Sequence, residues 1–170
     1  KLSNYFTKRD QDASYDESKA TKISLNGSSA KTSGSGAEVS GSTVTITKAG
    51  TYVLSGSSEN VQVVVKVGDQ DKVQLVLNGV TMTGTDAAIV VENADKTFIT
   101  LAKGSKNTIS DSANHKNTDY DAAIYSKDDL TFNGSGSLTV EGKYGNAIEY
   151  NDDLRITGGT YTIKGYKNAL

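Results

Sequence analysis

The feature that leaves this chain the fewest options is a repeat of 24 residues, the spacing from Ala123 to Ala147 and from Asp129 to Asp153. The first copy runs Asp121-Ala122-Ala123-Ile124-Tyr125-Ser126-Lys127-Asp128-Asp129-Leu130-Thr131-Phe132, then Gly134-Ser135-Gly136 and Leu138-Thr139-Val140. The second runs Gly145-Asn146-Ala147-Ile148-Glu149-Tyr150-Asn151-Asp152-Asp153-Leu154-Arg155-Ile156, then Gly158-Gly159 and Tyr161-Thr162-Ile163. A third opens at Lys167-Asn168-Ala169-Leu170. Asp71 to Asp95 is again 24 residues, while Asp95 to Asp129 is 34, which reads as an insertion at 110–120. A fixed period of this size is the mark of a solenoid.

Within each copy the apolar residues alternate: Ala122/Ile124, Leu130/Phe132 and Leu138/Val140. That is the period of a strand with one buried face. Three short strands joined by Gly, Asn and Asp turns form a coil that cannot bury its inner face alone, so stacked neighbours must complete the core. The expected fold is all-β, a right-handed parallel β-helix with coils of ~24 residues, handedness following the rule for parallel crossovers. The expected division is an N-terminal arm with capping strands over 1–60 and β-helix coils over 61–170. Ile89 to Asp95 is six residues but Ile124 to Asp129 is five, so a one-residue bulge near Asn93 or Lys127 is expected.

Composition removes several function classes. With 18 basic and 20 acidic residues the net charge is -2, which offers nothing for nucleic acid or a membrane surface. No cysteine is present, which excludes disulfides, a zinc–thiolate site and a Cys nucleophile. No apolar run approaches the ~20 residues of a membrane span. The single histidine, His115, falls in the insertion, read as a solvent loop, with no evident triad partner. Over 1–20 the chain is polar, with Arg9-Asp10, Asp12 and Asp16-Glu17 among Tyr5, Phe6 and Tyr15. It reads either as a partly ordered lead-in or as an arm pinned by its aromatics.

Stacking places equivalent residues of neighbouring coils ~4.8 Å apart, so candidate sites are columns. Asp71, Asp95, Asp129 and Asp153 form one, doubled by Asp128 and Asp152. Each aspartate either caps a turn or joins its neighbours in holding a hard cation, Ca²⁺ above all. The candidate metal ligands are Asp128, Asp129, Asn151, Asp152 and Asp153, with Asp119 and Asp121 as a second acidic pair. A second column, Tyr120, Tyr144 and Tyr166, reads either as a platform for sugar rings or as a stabilising tyrosine ladder. Lys143 and Lys167 stand close enough in sequence to meet a sugar carboxylate.

The run Val44-Thr45-Ile46-Thr47-Lys48-Ala49-Gly50-Thr51-Tyr52-Val53-Leu54-Ser55-Gly56 resembles the entry motif of a bacterial family of carbohydrate-binding-domain-containing proteins. Asp71-Lys72-Val73-Gln74-Leu75-Val76-Leu77-Asn78-Gly79-Val80 and Ala123-Ile124-Tyr125-Ser126-Lys127-Asp128-Asp129-Leu130 resemble its coil motifs. The resemblance covers nearly the whole chain and implies a pectate-lyase-like β-helix, calcium binding and affinity for acidic polysaccharide such as polygalacturonate, with cellulose also bound. It further implies secretion or anchoring at the surface of Gram-positive cells. The chain departs from the family in carrying Ala122-Ala123-Ile124 and Asn146-Ala147-Ile148 where Asp-Gly-Ile is usual. Members also usually continue for further coils, so a coil left open after Leu170 is expected to associate end to end.

Three functions follow as alternatives. The first is non-catalytic, calcium-dependent binding of acidic polysaccharide. The second is a calcium-dependent polysaccharide lyase with Arg155 or a lysine as base. The third is a structural surface or adhesin spacer whose aspartates only cap turns.

Overall fold

The computed structural model describes residues 5–170; the first four residues of the lead-in lie outside the described residues. A four-residue helix, α1 (Lys8–Gln11), precedes sixteen strands: β1 (Thr21–Gly27), β2 (Ser29–Ser33), β3 (Ala37–Ser40), β4 (Thr43–Ile46), β5 (Gly50–Glu59), β6 (Gln62–Lys66), β7 (Lys72–Thr83) and β8 (Ile89–Asn93). They continue as β9 (Lys96–Leu101), β10 (Lys106–Ser110), β11 (Ala122–Ser126), β12 (Asp129–Gly134), β13 (Ser137–Gly142), β14 (Asn146–Tyr150), β15 (Leu154–Ile156) and β16 (Thr160–Gly165).

These strands make a three-sided parallel β-helix. One side is the sheet β14-β11-β8-β6-β4-β3; the second carries β15-β12-β9 on the first half of β7; the third carries β10-β13-β16 on its second half. β7 turns the corner between the last two sides, pairing with β9 through Lys72–Leu77 and with β10 through Thr81–Thr83. β5 turns the same corner one coil earlier, and its register slips between Leu54 and Gly56. Two antiparallel hairpins, β1–β2 and β3–β4, lie at the N-terminal end, and β1 stacks in parallel on β5.

The alternation read from the sequence fills the interior. Val63, Ile89, Ile124 and Ile148 stand in one column, Leu75, Ile99 and Phe132 in another, and Met82, Ile109 and Val140 in a third, all fully buried. Side-chain burial of this kind contributes ~1.5–3 kcal/mol per residue. Asn107 sits at the start of β10 where a corner leaves backbone unpaired. Its Oδ1 accepts from the N–H groups of Gly79 and Val80, and its Nδ2 donates to Ser137 O at 3.1 Å. Gly134 ends β12 at φ +87°, where any side chain would run into the backbone of Leu101 in the coil below.

The irregularity between coils differs from the one expected. Ile124 stands over Ile89 but Asp129 stands over Lys96, so the turn after β11 is two residues shorter than the turn after β8. An even change preserves facing. Leu130 points inward because Thr97 and Val73, its partners below, also do. An irregularity does lie beside Asn93, where Val65 pairs with Val91 but Lys66 with Asn93.

Candidate functional site

The corner between the third and first sides carries an open cleft. β13 ends at Gly142 and β16 at Gly165, residues that stack directly on each other, and Tyr166 N–H donates to Gly142 O at 2.7 Å. The cleft, of about 220 Å³, is lined by Glu141, Gly142, Lys143, Lys164, Gly165 and Tyr166. Two glycines make its floor low, two lysines against the one carboxylate of Glu141 leave its lining net positive, and Tyr166 is 75% exposed. Lys164 was not among the residues picked out by the repeat; its position follows from the pairing of Glu141 with Lys164.

Tyr120, Tyr144 and Tyr166 do not form one exposed row. Tyr120 leans on Tyr125 with ring centroids 4.9 Å apart and donates its hydroxyl to Glu92 at 3.3 Å. Burial, then the Glu92 carboxylate, push its phenol above the ordinary range. Tyr144 stacks flat on His115 at 4.2 Å. Only Tyr166 offers a free face.

The insertion is not a simple solvent loop. His115 and Asp111 are buried, with His115 Nε2 2.6 Å from Asp111 Oδ2 and His115 Nδ1 2.8 Å from Tyr120 O. Asp111 Oδ1 accepts from Lys143 N–H at 2.6 Å, so this pair also fixes one wall of the cleft. The partner of His115 lies four residues upstream in the same insertion, just past the end of β10.

Beside the cleft, Asp121 and Glu149 of adjacent coils are placed so that a proton on one of them makes a hydrogen bond to the other. That bond first, then burial and the Asp121 charge, raise the Glu149 carboxyl to about 7, against the pull of Asn146 and Lys167. Two carboxyl groups this close hold a proton between them at mildly acidic pH. Asp119 is exposed, its N–H donating to Asn117 Oδ1.

The aspartate columns align differently from the expected register. Asp128 and Asp152, not Asp129 and Asp153, continue the level of Asp71 and Asp95; Asp129 and Asp153 continue the level of Lys72 and Lys96. Asp128 Oδ2 caps the turn below by accepting Ala94 N–H at 2.9 Å, and Asp129 Oδ1 accepts Asp153 N–H at 3.2 Å. Asp153 Oδ2 and Asp129 Oδ2 lie 3.3 and 3.9 Å from the Arg155 guanidinium. Asn151 Nδ2 reaches the Tyr125 hydroxyl at 3.5 Å, and Asp152 is exposed. Among the described residues no three acidic or histidine side chains converge on a point that would hold a metal ion. This set therefore does not fit a calcium ion without rearrangement, because its oxygens already accept N–H groups and face a guanidinium.

The lead-in is an ordered arm laid across the outer face of the second side. Asp10, fully buried, anchors it: Oδ1 accepts from Lys96 Nζ at 3.0 Å and Thr131 Oγ1 at 2.9 Å, and Oδ2 accepts from Thr7 N–H at 2.9 Å. Asn133 Nδ2 and Thr157 Oγ1 donate to Asp10 O at 3.1 and 2.9 Å. Burial alone would raise this carboxyl, but the Thr7 N–H, Lys96 and Thr131 together hold it below the usual carboxylate range. Arg155 Nε lies 3.8 Å from Asp10 Oδ2, and the guanidinium packs over Tyr5 at 4.9 Å. The aromatics expected to pin the arm play a lesser part than Asp10, with Tyr15 resting on Val53, Val76 and Ala102.

A stack of parallel coils with a lysine- and tyrosine-lined cleft at one corner defines a β-helix with a surface suited to sugars. The chain belongs to the family of carbohydrate-binding domain-containing proteins, whose model matches residues 40–170. A carbohydrate-binding domain-containing protein of Acetivibrio thermocellus is 40% identical over 135 residues, 76% of this chain and 47% of that protein. The solved structure of the polysaccharide lyase-like protein from C. thermocellum, a gadolinium derivative, matches with a TM-score of 0.85 at 36% identity. That match covers 89% of this chain and 64% of the other. The chain thus spans about half the length of the curated relative it matches.

Proposed function

We propose that the chain is a non-catalytic binding module for acidic polysaccharide, and that the corner cleft is where it meets the sugar. The observation that carries this reading is the free face of Tyr166 standing beside Lys143 and Lys164. A sugar ring stacks on the phenol while the two ammonium groups meet its carboxylate, and Lys167 at the same corner adds a third charge. Polygalacturonate is the ligand of this chemistry. Arg155 speaks against the lyase reading. A guanidinium flanked by Asp10, Asp129 and Asp153 is a fixed cation, not a proton acceptor.

Calcium enters this reading at Asp121 rather than at Asp128, Asp129, Asn151, Asp152 and Asp153. Asp121 and Glu149 are two carboxyl groups whose mutual repulsion a proton now relieves; a hard cation with open positions for sugar oxygens would relieve it as well. A polysaccharide ligand places the module outside the cell or on its surface; among the described residues no helix is long and apolar enough to cross a membrane.

The test is titration of polygalacturonate and of a neutral glucan onto the wild type, Tyr166→Ala and the double variant Lys143→Ala/Lys164→Ala. Each substitution should weaken uronate binding by about tenfold or more, which is ~1.4 kcal/mol, without altering the thermal midpoint. Equal binding by all three proteins, or an unsaturated product accumulating during the titration, overturns the reading.

A further inference from the structure

Under the arm lies a second carboxylate site, already filled. Lys96, Phe98, Thr131, Asn133 and Arg155 all project from the outer face of the second side. Register sets Phe98, Thr131 and Arg155 in one rank across three coils, with Lys96 one step along from Phe98 and Asn133 one step along from Thr131 on the same face. Outward faces of solenoids are usually solvated, yet here the Lys96 side chain is only 9% exposed. The Phe98 ring is 1% exposed and covered by the Arg9 guanidinium 4.8 Å from its centroid. What buries them is a four-residue helix and its flanks, in which Asp10 is the one buried residue and its neighbours from Thr7 to Asp12 are exposed. The arm is thus held at its centre by one carboxylate and the peptide carbonyl beside it, with Arg155 and Gln74 reaching the carbonyls of Tyr5 and Ser14 on either side.

We infer that Lys96, Thr131 and Arg155 form a carboxylate-binding subsite for an acidic sugar, with Phe98 as its stacking face, and that Asp10 occupies it as an internal stand-in for the ligand. The donors exceed what Asp10 uses. Lys96 Nζ gives it one hydrogen bond, and Arg155 Nη1 is buried with no hydrogen-bond acceptor among the described residues, the nearest carboxylate oxygen, Asp129 Oδ2, standing 3.9 Å away. A buried guanidinium nitrogen without a partner is costly, and a sugar carboxylate with ring hydroxyls beside it would supply acceptors that the arm lacks. Phe98 selects a uronate over a free carboxylic acid, because its ring, once Arg9 moves away, presents a flat apolar face beside the cationic pair. This inference rests on the reading of the chain as an acidic-polysaccharide binder, but it uses a surface separate from the corner cleft. The arm competes as a tethered ligand, so its docking constant divides the apparent affinity of the subsite.

The experiment compares a short oligogalacturonate with cellobiose on the full chain and on Asp10→Ala, each also carrying Tyr166→Ala to silence the corner cleft. Amide exchange of Thr7, Asp10 and Ser14 is followed in the wild type with and without saturating oligogalacturonate. Asp10→Ala should bind the uronate at least about tenfold more tightly, a gain absent with cellobiose and removed by adding Lys96→Met. In the wild type the ligand should speed exchange at the three arm amides. Unchanged uronate affinity in Asp10→Ala, or arm amides equally protected with ligand bound, overturns the inference. Should polygalacturonate bind the wild type through Tyr166 while both of those readouts stay flat, the corner-cleft reading stands and only this one falls.

Discussion

Asp10 shows how a single side chain can be decisive and still leave little trace in a sequence. Its partners Lys96 and Thr131 are 86 and 121 residues away, so no local pattern relates them, and Arg9-Asp10 reads as ordinary surface charge. Removing one member of a buried ion pair usually costs about 3–5 kcal/mol, but here the arm can lift away and let water reach Lys96. Asp10→Ala should therefore strip amide protection from the arm while lowering the global thermal midpoint by far less than that figure implies. The carboxyl is held below its ordinary value of 3.8. Its contribution is fully present above that value and fades as pH falls through the lowered one, so arm protection should be lost only in strong acid. Glu149 has the opposite sign. Its carboxyl is raised from 4.5 to about 7, so the folded state binds a proton more readily than the unfolded chain, and stability declines as pH rises between those values. Glu149→Gln should raise the thermal midpoint at pH 8 and leave it nearly unchanged at pH 4. If Asp121 and Glu149 take up calcium, added calcium should raise the wild-type midpoint at pH 8, chelator should reverse it, and Asp121→Asn should be indifferent to both. A hundredfold excess over Kd corresponds to about 2.7 kcal/mol, well within what a thermal melt resolves.

The strands themselves were readable from the alternation of apolar residues. Val73–Leu77, Leu130–Phe132 and Leu154–Ile156 lie one above another in parallel, as the repeat requires. Phe132, at the centre of that stack, is fully buried, and Phe132→Ala should cost about 3–5 kcal/mol in a denaturant melt. What the repeat misled on was register at the turns. Asp128 and Asp129 offer two alignments with the lone Asp95, and the period alone cannot choose between them when a turn loses residues. Hydrogen bonding does choose, since Asp128 caps Ala94 while Asp129 stands over Lys96. The insertion was misread for a related reason. His115 looked unpartnered because nothing in the sequence shows that the insertion folds back to set it against Asp111, just past the end of β10. With Asp111 holding the Lys143 N–H as well, His115→Ala should loosen the insertion and the cleft wall together, visible as lost amide protection at Lys143.

At the scale of the whole molecule the exposed strands need attention. β15 and β16 end the larger sheet, and among the described residues neither pairs with a strand on its outer side. Ile156 is 38% exposed there, with Leu154, Tyr161 and Ile163 only partly covered. A residue this exposed carries little of the core's stability, so Ile156→Lys should leave the thermal midpoint of the chain nearly unchanged.

The arm also changes how the stack comes apart. A solenoid in which every coil touches only its neighbours can unravel one rung at a time. Asp10 and its carbonyl bind Lys96, Thr131, Asn133 and Thr157 at once, bolting three successive rungs together from outside. Such a clasp can close only after all three rungs are in place, so docking is the last event of folding and release the first of unfolding. Pulled from its C-terminus, the intact chain should give way over β9, β12 and β15 in a single rupture. Without Asp10 the same stretch should yield in separate steps.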